Sequence, residues 1–566
     1  MIVTKRPTTV IVVTFFLVFT FSAYSYGALF EQLAVSTKAS TLGNAVTAYP
    51  PGPMSIHYNP AGLTKLEGTH FNQGVFWIPV MAKTGKFKQG IDPDTGEYWA
   101  PFGGYFNPLN RPEGEPKDPL HGTEGTTDNG TMILPIIGDL PVLIAPDMGV
   151  SYSPPGSRWT FGIAQYVPFG VGMEHADEND PNRFIGSNVG IQRLIVAAPA
   201  VAYQLSDTVS VGVSTGIGIN AMKFTSSMRT PNDMVALTGA LGEATENLEI
   251  PPITELTLPP PWFGGGLSPY EQVGKLDFLC EDFFTTSYNL GFLWEPNDWF
   301  AFGAVYQSQS ETDMSGHYEM EFERSFQNVV NWLGSSPMTI SIAAIFALPY
   351  RGTPLQEGTM TIDVPFPART QFGIMLRPIE RLRLLCDLNW TEWGAWENME
   401  ICFDQDIQLL QFARMMGYQG GPRKLIMKTG FENTWHLGYG LEFDVTKQLA
   451  LRLGYEKRPS SVPDEWFGPV PMPDMEIYSI GLGLNLEDAR KKKPKDPMDF
   501  QHQLSKPCSI DVGFTWLTSE YKLKSNTSKN FNSTNFTIPV YNPFAGLDYE
   551  QKITSYVIAI NANFKW

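Results

Sequence analysis

Apolar residues alternate with small or polar ones along most of this chain. At its end, Tyr556, Ile558, Ile560, Ala562, Phe564 and Trp566 fall on one parity, and Ser555, Val557, Ala559, Asn561, Asn563 and Lys565 on the other. A period of two is that of a β-strand with two different faces. From Val209 to Ile219 every odd position is β-branched and every even one is Gly or Ser. Leu382, Leu384, Cys386, Leu388 and Trp390 alternate with Arg383, Leu385, Asp387 and Asn389, and Trp435 to Val445 alternates with His436, Gly438, Gly440, Glu442 and Asp444. One such strand also suits a soluble sandwich, so the number and length of the strands decide.

Fourteen segments read as strands, near 68–80, 144–153, 157–170, 189–205, 208–223, 284–295, 298–316, 358–378, 381–404, 424–446, 448–459, 475–486, 507–523 and 552–566. An even count closes an antiparallel barrel. Short connections such as Pro154-Pro155-Gly156 and Leu205-Ser206-Asp207 carry turn chemistry, whereas 81–143, 171–188, 224–283, 317–357, 405–423, 460–474 and 524–551 are long. Short periplasmic turns and long outer loops are the asymmetry of an outer-membrane barrel. The segment 487–506, with Arg490-Lys491-Lys492-Lys493-Pro494-Lys495, departs from it and reads as a solvated periplasmic loop. The expected fold is all-β: a 14-stranded antiparallel transmembrane β-barrel over 68–566.

Lys5 and Arg6 precede an apolar run from Val10 to Phe21 and small residues near Ser25 and Gly27, which reads as a secretory signal peptide over 1–27. No later run approaches the roughly 20 apolar residues of a spanning helix. Only 17% of the residues are charged, and the net charge of −18 excludes a nucleic-acid surface. Cys280, Cys386, Cys402 and Cys508 are far apart and form no CxxC, so neither a metal site nor a redox motif is expected. Disulfides and free thiols both stay open. The terminal Trp566 is the expected handle for barrel assembly machinery, and outer-membrane lipid and lipopolysaccharide are the expected surroundings of a monomer.

Between Ala28 and the first strand lies a segment without alternation, 28–67, containing Leu42-Gly43-Asn44-Ala45 and Asn59-Pro60-Ala61-Gly62-Leu63. With a barrel behind it, this resembles the FadL family of outer-membrane transporters for long-chain fatty acids and hydrocarbons, whose amino-terminal hatch carries an Asn-Pro-Ala motif. The resemblance continues through Trp159-Thr160-Phe161-Gly162 to Val167-Pro168-Phe169-Gly170, Ala198-Pro199-Ala200-Val201-Ala202-Tyr203, Glu295-Pro296-Asn297-Asp298 and Arg452-Leu453-Gly454-Tyr455. It implies a plugged barrel, passive uptake of a hydrophobic ligand without a cofactor, capture between the third and fourth outer loops, an inner pocket beside the hatch, and release through the wall at strand three.

On that pattern Phe30, Asn59, Pro60 and Ala61 are hatch and gating candidates, and Leu237, Leu241, Trp332, Leu333, Ile342 and Phe346 belong to the capture loops. Arg383 and Arg452 fall on the lumen face and are candidates for a fatty carboxylate, although Glu442, Asp444, Glu456 and Asp387 share that face and make salt bridges the expected use. Fully paired arginines would favour an uncharged hydrocarbon. Pro168 lacks a backbone donor and Gly170 relaxes the chain, so either the wall opens there or the loop simply begins. A porin or an adhesive barrel is the rival reading. The seven histidines form no catalytic spacing with Ser and Asp, so no enzyme is expected.

Overall fold

The computed structural model describes residues 31–101, 112, 114–127, 132–134, 138–140, 143–175, 177–249, 257–415, 418–462, 474–486, 508–525 and 542–565. The signal peptide, Phe30, the basic segment 487–506 and Trp566 lie outside the described residues. We number the wall strands β1 Gly68–Gln89, β2 Leu143–Ser153, β3 Trp159–Glu174, β4 Asn188–Gln204, β5 Val209–Met228 and β6 Gly274–Asn297. The next four are each in two pieces: β7 Phe300–Gln307 and Met314–Phe322, β8 Leu355–Asp363 and Arg369–Ile379, β9 Leu382–Thr391 and Asn398–Phe403, β10 Lys424–Lys428 and Thr434–Asp444. β11 Leu449–Arg458, β12 Met475–Asn485, β13 Ser509–Leu523 and β14 Leu547–Lys565 complete the wall.

Each strand pairs antiparallel with the next, and β14 returns to β1 from His70↔Lys565 to Gln89↔Leu547. The result is a closed 14-strand barrel. Closure leaves no terminal edge strand, which is the condition for spanning hydrocarbon with strands. Among the described residues no single helix is long and apolar enough to cross a membrane.

β6 has 24 residues, far more than the roughly 9–11 that span a bilayer, so the strands must continue beyond it. The outer face shows where the membrane stops. Tyr288, Leu290, Phe292 and Trp294 of β6 are exposed on the lower wall, as are Leu451, Leu453, Ile480 and Leu482. Above the interruptions in β7 and β8 the exposed positions are Ser315, His317, Glu319 and Glu321, then Leu355, Glu357, Thr359, Thr361 and Asp363, polar in all but one case. Aromatic pairs mark the boundary: Tyr288 and Tyr306 at 6.0 Å, Trp390 and Trp435 at 6.3 Å, Tyr478 and Trp516 at 5.5 Å. Rings with one apolar and one polar end belong at that interface.

The segment 31–67 lies inside the lower lumen as a hatch of short helices and one short strand. Its seat is made by inward glycines. A Cβ at Gly303 would overlap the Thr47 carbonyl, one at Gly454 the Gly43 backbone, and one at Gly481 the Thr41 side chain. The Gly-rich parity of the sequence is therefore the imprint of a backbone lying against the wall. Polar anchors complete the fit: Thr47 N–H donates to Asp387 at 2.8 Å and Asn44 to Glu456 at 3.3 Å.

The long outer loops have a core of their own, formed by Phe87, Leu120, Phe184, Phe544 and Tyr549. At its centre the buried Arg229 grips Asp118 through both terminal nitrogens, at 2.9 and 3.0 Å, and donates Nε–H to the Pro543 carbonyl. Cys280, Cys386 and Cys402 are free thiols.

Replacing Gly303 and Gly454 by Val should unseat the hatch while leaving the barrel inserted. Single-channel recording should then show larger conductance than the parent; equal conductance would mean the hatch does not depend on this seat.

Candidate functional site

Just above the hatch is a cavity of about 60 Å³. Its floor is His57 and its walls are Tyr166, Pro168, Phe169, Arg193, Ile195, Ser287, Asn289 and Gln307, with Phe366, Arg369 and Trp393 on the outer side. The hatch helix Ser55–Tyr58 is held there from the wall: Gln307 Nε2–H donates to the His57 carbonyl at 2.7 Å, and Ser214 Oγ–H to that of Ile56 at 2.8 Å. Burial, with Arg369 and Arg193 nearby, holds the His57 ring well below its ordinary pKa, so it is neutral.

Arg193 is the chemically distinctive group. It is buried, donates to Ser287 Oγ at 2.8 Å and lies over the Phe366 ring at 5.4 Å, while its Nε–H has no partner. Among the described residues no Asp or Glu lines the cavity. A buried guanidinium with only neutral partners is costly, and an arriving anion would relieve that cost.

The cavity abuts a defect in the wall. Among the described residues β3 pairs with β2 only from Met148↔Gln165 to Tyr152↔Phe161. Beyond Gln165 its partner on that side is the hatch strand Glu31–Ala34, through Ala34↔Val167 and Glu31↔Phe169. On the other side the register with β4 shifts between Ala164 and Tyr166 and again between Tyr166 and Phe169. Pro168 sits in this stretch and lines the cavity; Gly170 pairs with Gln192 and does not line it.

The motif Asn59-Pro60-Ala61 ties hatch to wall. The Asn59 side chain caps the following turn by accepting from Ala61 N–H at 3.1 Å and donates to the carbonyls of Thr47 at 2.8 Å and Phe292 at 3.0 Å. Arg383 and Arg452 do reach the lumen, but not the cavity. Arg452 pairs with Glu442 at 2.7 Å and Asp511 at 2.6 Å, and Arg383 with Glu442 at 2.9 Å and Asp444 at 3.0 Å. These are the stiffening salt bridges that the shared parity suggested.

The six capture candidates lie on three loop helices, α1 Asp233–Thr245, α2 Arg324–Leu333 and α3 Pro337–Phe346. The loops pack on one another: Trp332 stacks near Phe263 at 4.9 Å and donates to the Pro259 carbonyl at 2.7 Å. Leu333 is buried against Ala343 and Leu348, and Leu237, Leu241 and Ile342 are half-buried. α3 still presents an apolar surface, with Ile345 76% and Phe346 54% exposed. Arg193, Arg369, His57 and Trp393 were missed in the sequence reading. Arg193 carried a signal, as a lone cation among Ile191, Leu194 and Ile195.

A closed barrel with an apolar belt, an inner hatch and a cavity beside it defines a plugged outer-membrane transporter. The family model of outer membrane protein transport proteins, OMPP1/FadL/TodX, matches residues 16–566, and the chain belongs to that family. It is an outer-membrane protein that passes hydrophobic compounds, and not an enzyme. Its fold is similar to that of a FadL homologue from Pseudomonas aeruginosa, at 15% identity and TM-score 0.60, covering 95% of this chain and 99% of that one. It is also similar to the toluene transporter TodX of P. putida, at 13% identity and TM-score 0.55, covering 96% and 99%. The monoaromatic hydrocarbon channel CymD gives 14% identity and TM-score 0.51, covering 95% and 100%. No curated protein matches the sequence.

Arg452→Met removes the cation shared by Glu442 and Asp511 and should lower barrel stability by about 3–5 kcal/mol, the usual cost of leaving buried charge unpaired. Ligand affinity should hold, because Arg452 is outside the cavity. Thermal unfolding followed on heat-modifiable gels, with binding measured alongside, checks both halves.

Proposed function

We propose that this protein carries long-chain amphipaths with an anionic head, fatty acids in the first place, from the outer loops to the inner cavity and out through the wall at β3. The observation that supports a carboxylate over a plain hydrocarbon is Arg193, buried beside the cavity with neutral partners and an unused Nε–H. A guanidinium binds a carboxylate through parallel N–H donors, and such charged hydrogen bonds contribute about 1.5–3 kcal/mol each. An uncharged aromatic would leave that donor unsatisfied. The paired Arg383 and Arg452 favour neither ligand, since neither faces the cavity.

Capture falls to α1–α3, where the exposed face of α3 offers apolar contact to an alkyl chain that the polysaccharide layer does not. Release falls to the stretch of β3 at Val167 and Pro168, where the hatch strand stands in for a wall strand. Withdrawal of that strand would open a passage from the cavity to the bilayer. The hatch candidates Asn59, Pro60 and Ala61 then serve as a fixed hinge for the segment that moves.

Arg193→Leu should weaken binding of a long-chain fatty acid roughly ten- to hundredfold in Kd while leaving an alkane of equal length unaffected. Equal losses for both would remove the anionic head from the reading. The exit has a separate test. Cysteines at positions 34 and 167, which face each other across the hatch strand and β3, should form a disulfide that stops uptake on oxidation and restores it on reduction. Undiminished uptake by the oxidised protein would place release elsewhere.

A further inference from the structure

The cavity is too small for an entire long acyl chain. At about 60 Å³ it holds several water-sized groups, enough for a head and the first carbons. The remainder of the chain has to lie in what adjoins it, and the outer side of the cavity is not open space. Phe366 and Trp393 belong to one continuous cluster of buried apolar side chains that runs up the inside of the extramembrane wall to Val235 on α1 and Phe326, Val329 and Val330 on α2. The inner sides of α1 and α2 and the pocket roof are thus ends of a single apolar body, while α3 packs beside it through Leu333, Ala343 and Leu348.

That body is lined by methionine. Met222 of β5, Met314 and Met320 of β7, Met360 of β8, Met399 of β9 and Met475 of β12 are all nearly or fully buried within it. Strand interiors favour β-branched and aromatic side chains, which pack well on a pleated surface and lose little freedom there. Methionine is the opposite choice, unbranched and with three rotatable bonds, and it repacks around whatever shape is offered. Its recurrence around five strands of one wall fits a core required to yield better than a core required to hold.

The lower end narrows to tryptophans. Trp393 and Trp396 stand edge to face at 4.9 Å, with Phe169 5.4 Å from Phe366 beside them. Trp396 donates its ring N–H to the Pro365 carbonyl, whereas that of Trp393 has no partner although the side chain is fully buried. Both tryptophans lie in the interruption of β9, between Thr391 and Asn398, where no ladder hydrogen bonds need break for a ring to turn.

We propose that this methionine-lined core is itself the route from the loop helices to the inner cavity, opened by side-chain rearrangement around the passing chain, with Trp393 the last side chain to give way. The inference rests on the transport reading above and concerns the path, not the ligand's head. It separates the two jobs of the wall: the membrane-embedded part stays rigid while the part above it yields.

The test replaces compliance at constant volume. Met314→Ile, Met360→Ile and Met399→Ile together keep apolar bulk and raise β-propensity, so the barrel should still fold. In stopped flow the triple variant should bind a long-chain fatty acid several-fold more slowly, at little-changed equilibrium affinity. Parent protein with norleucine in place of methionine, equally flexible, should bind at the parental rate. An unchanged association rate in the isoleucine variant overturns the route, and a norleucine protein as slow as that variant overturns the role of flexibility. If the triple variant does not fold, photo-methionine protein irradiated with the same fatty acid decides. Adducts at Met314, Met360 or Met399 support the route; adducts confined to the exposed loop residues Met338 and Met415 overturn it. Arg193→Leu keeps the two readings apart: a slow isoleucine variant is informative about the path whatever that substitution does to affinity.

Discussion

A strand in hydrocarbon has to satisfy every backbone N–H and C=O from within the protein, because each one left bare costs several kcal/mol. This chain meets the constraint by closing β14 on β1, and almost everything else about the wall follows from closure. The exception is at β3. Above Gln165 its edge toward β2 is not covered by a wall strand, and the hatch strand Glu31–Ala34 supplies the missing partner. The rule that forbids an open edge is met there by an element that belongs to the plug. A plug that also completes the wall couples what happens inside the barrel to what happens at its side, and the cavity lined by Pro168 and Phe169 lies at that junction.

The lower half of the molecule was legible because its constraints are local. A period of two specifies which side chains meet lipid, and the Gly and Ser parity specifies the other face, so Arg383, Arg452, Glu442 and Asp387 could be placed in the lumen from sequence. What alternation does not encode is interruption. The segments 298–316, 358–378, 381–404 and 424–446 read as unbroken strands, whereas β7, β8, β9 and β10 each break at one level. Pro365-Phe366-Pro367 was an available sign, since prolines two apart cannot sit in a central ladder. The breaks at Ser308–Asp313 and Glu392–Glu397 carry no proline and become visible only when neighbours are aligned.

The cavity was less legible for a different reason. His57, Tyr166, Arg193, Ser287, Gln307, Arg369 and Trp393 come from the hatch, β3, β4, β6, β7, β8 and the interruption in β9, and no sequence spacing relates them. Only Pro168 announced itself, by its missing donor. Arg193 stood in an apolar stretch as a cation without an obvious reason, but a lone arginine on a lumen face could equally have found a carboxylate, as Arg452 did. Which of two lumenal arginines is already neutralised depends on pairing across strands distant in sequence.

The change in the outer face at the level of the broken strands has a consequence for the kind of object this is. Below that level the molecule is an inside-out protein, apolar toward its surroundings and polar toward its centre. Above it the same strands carry glutamates and threonines outward and a packed apolar core inward, as a water-soluble protein does, with the buried Arg229–Asp118 pair tying loops together over it. One continuous sheet therefore passes through an inversion of polarity without a linker or a domain boundary. The two regions answer to different solvents: mutations in the lower wall are judged by lipid and those in the upper wall by water.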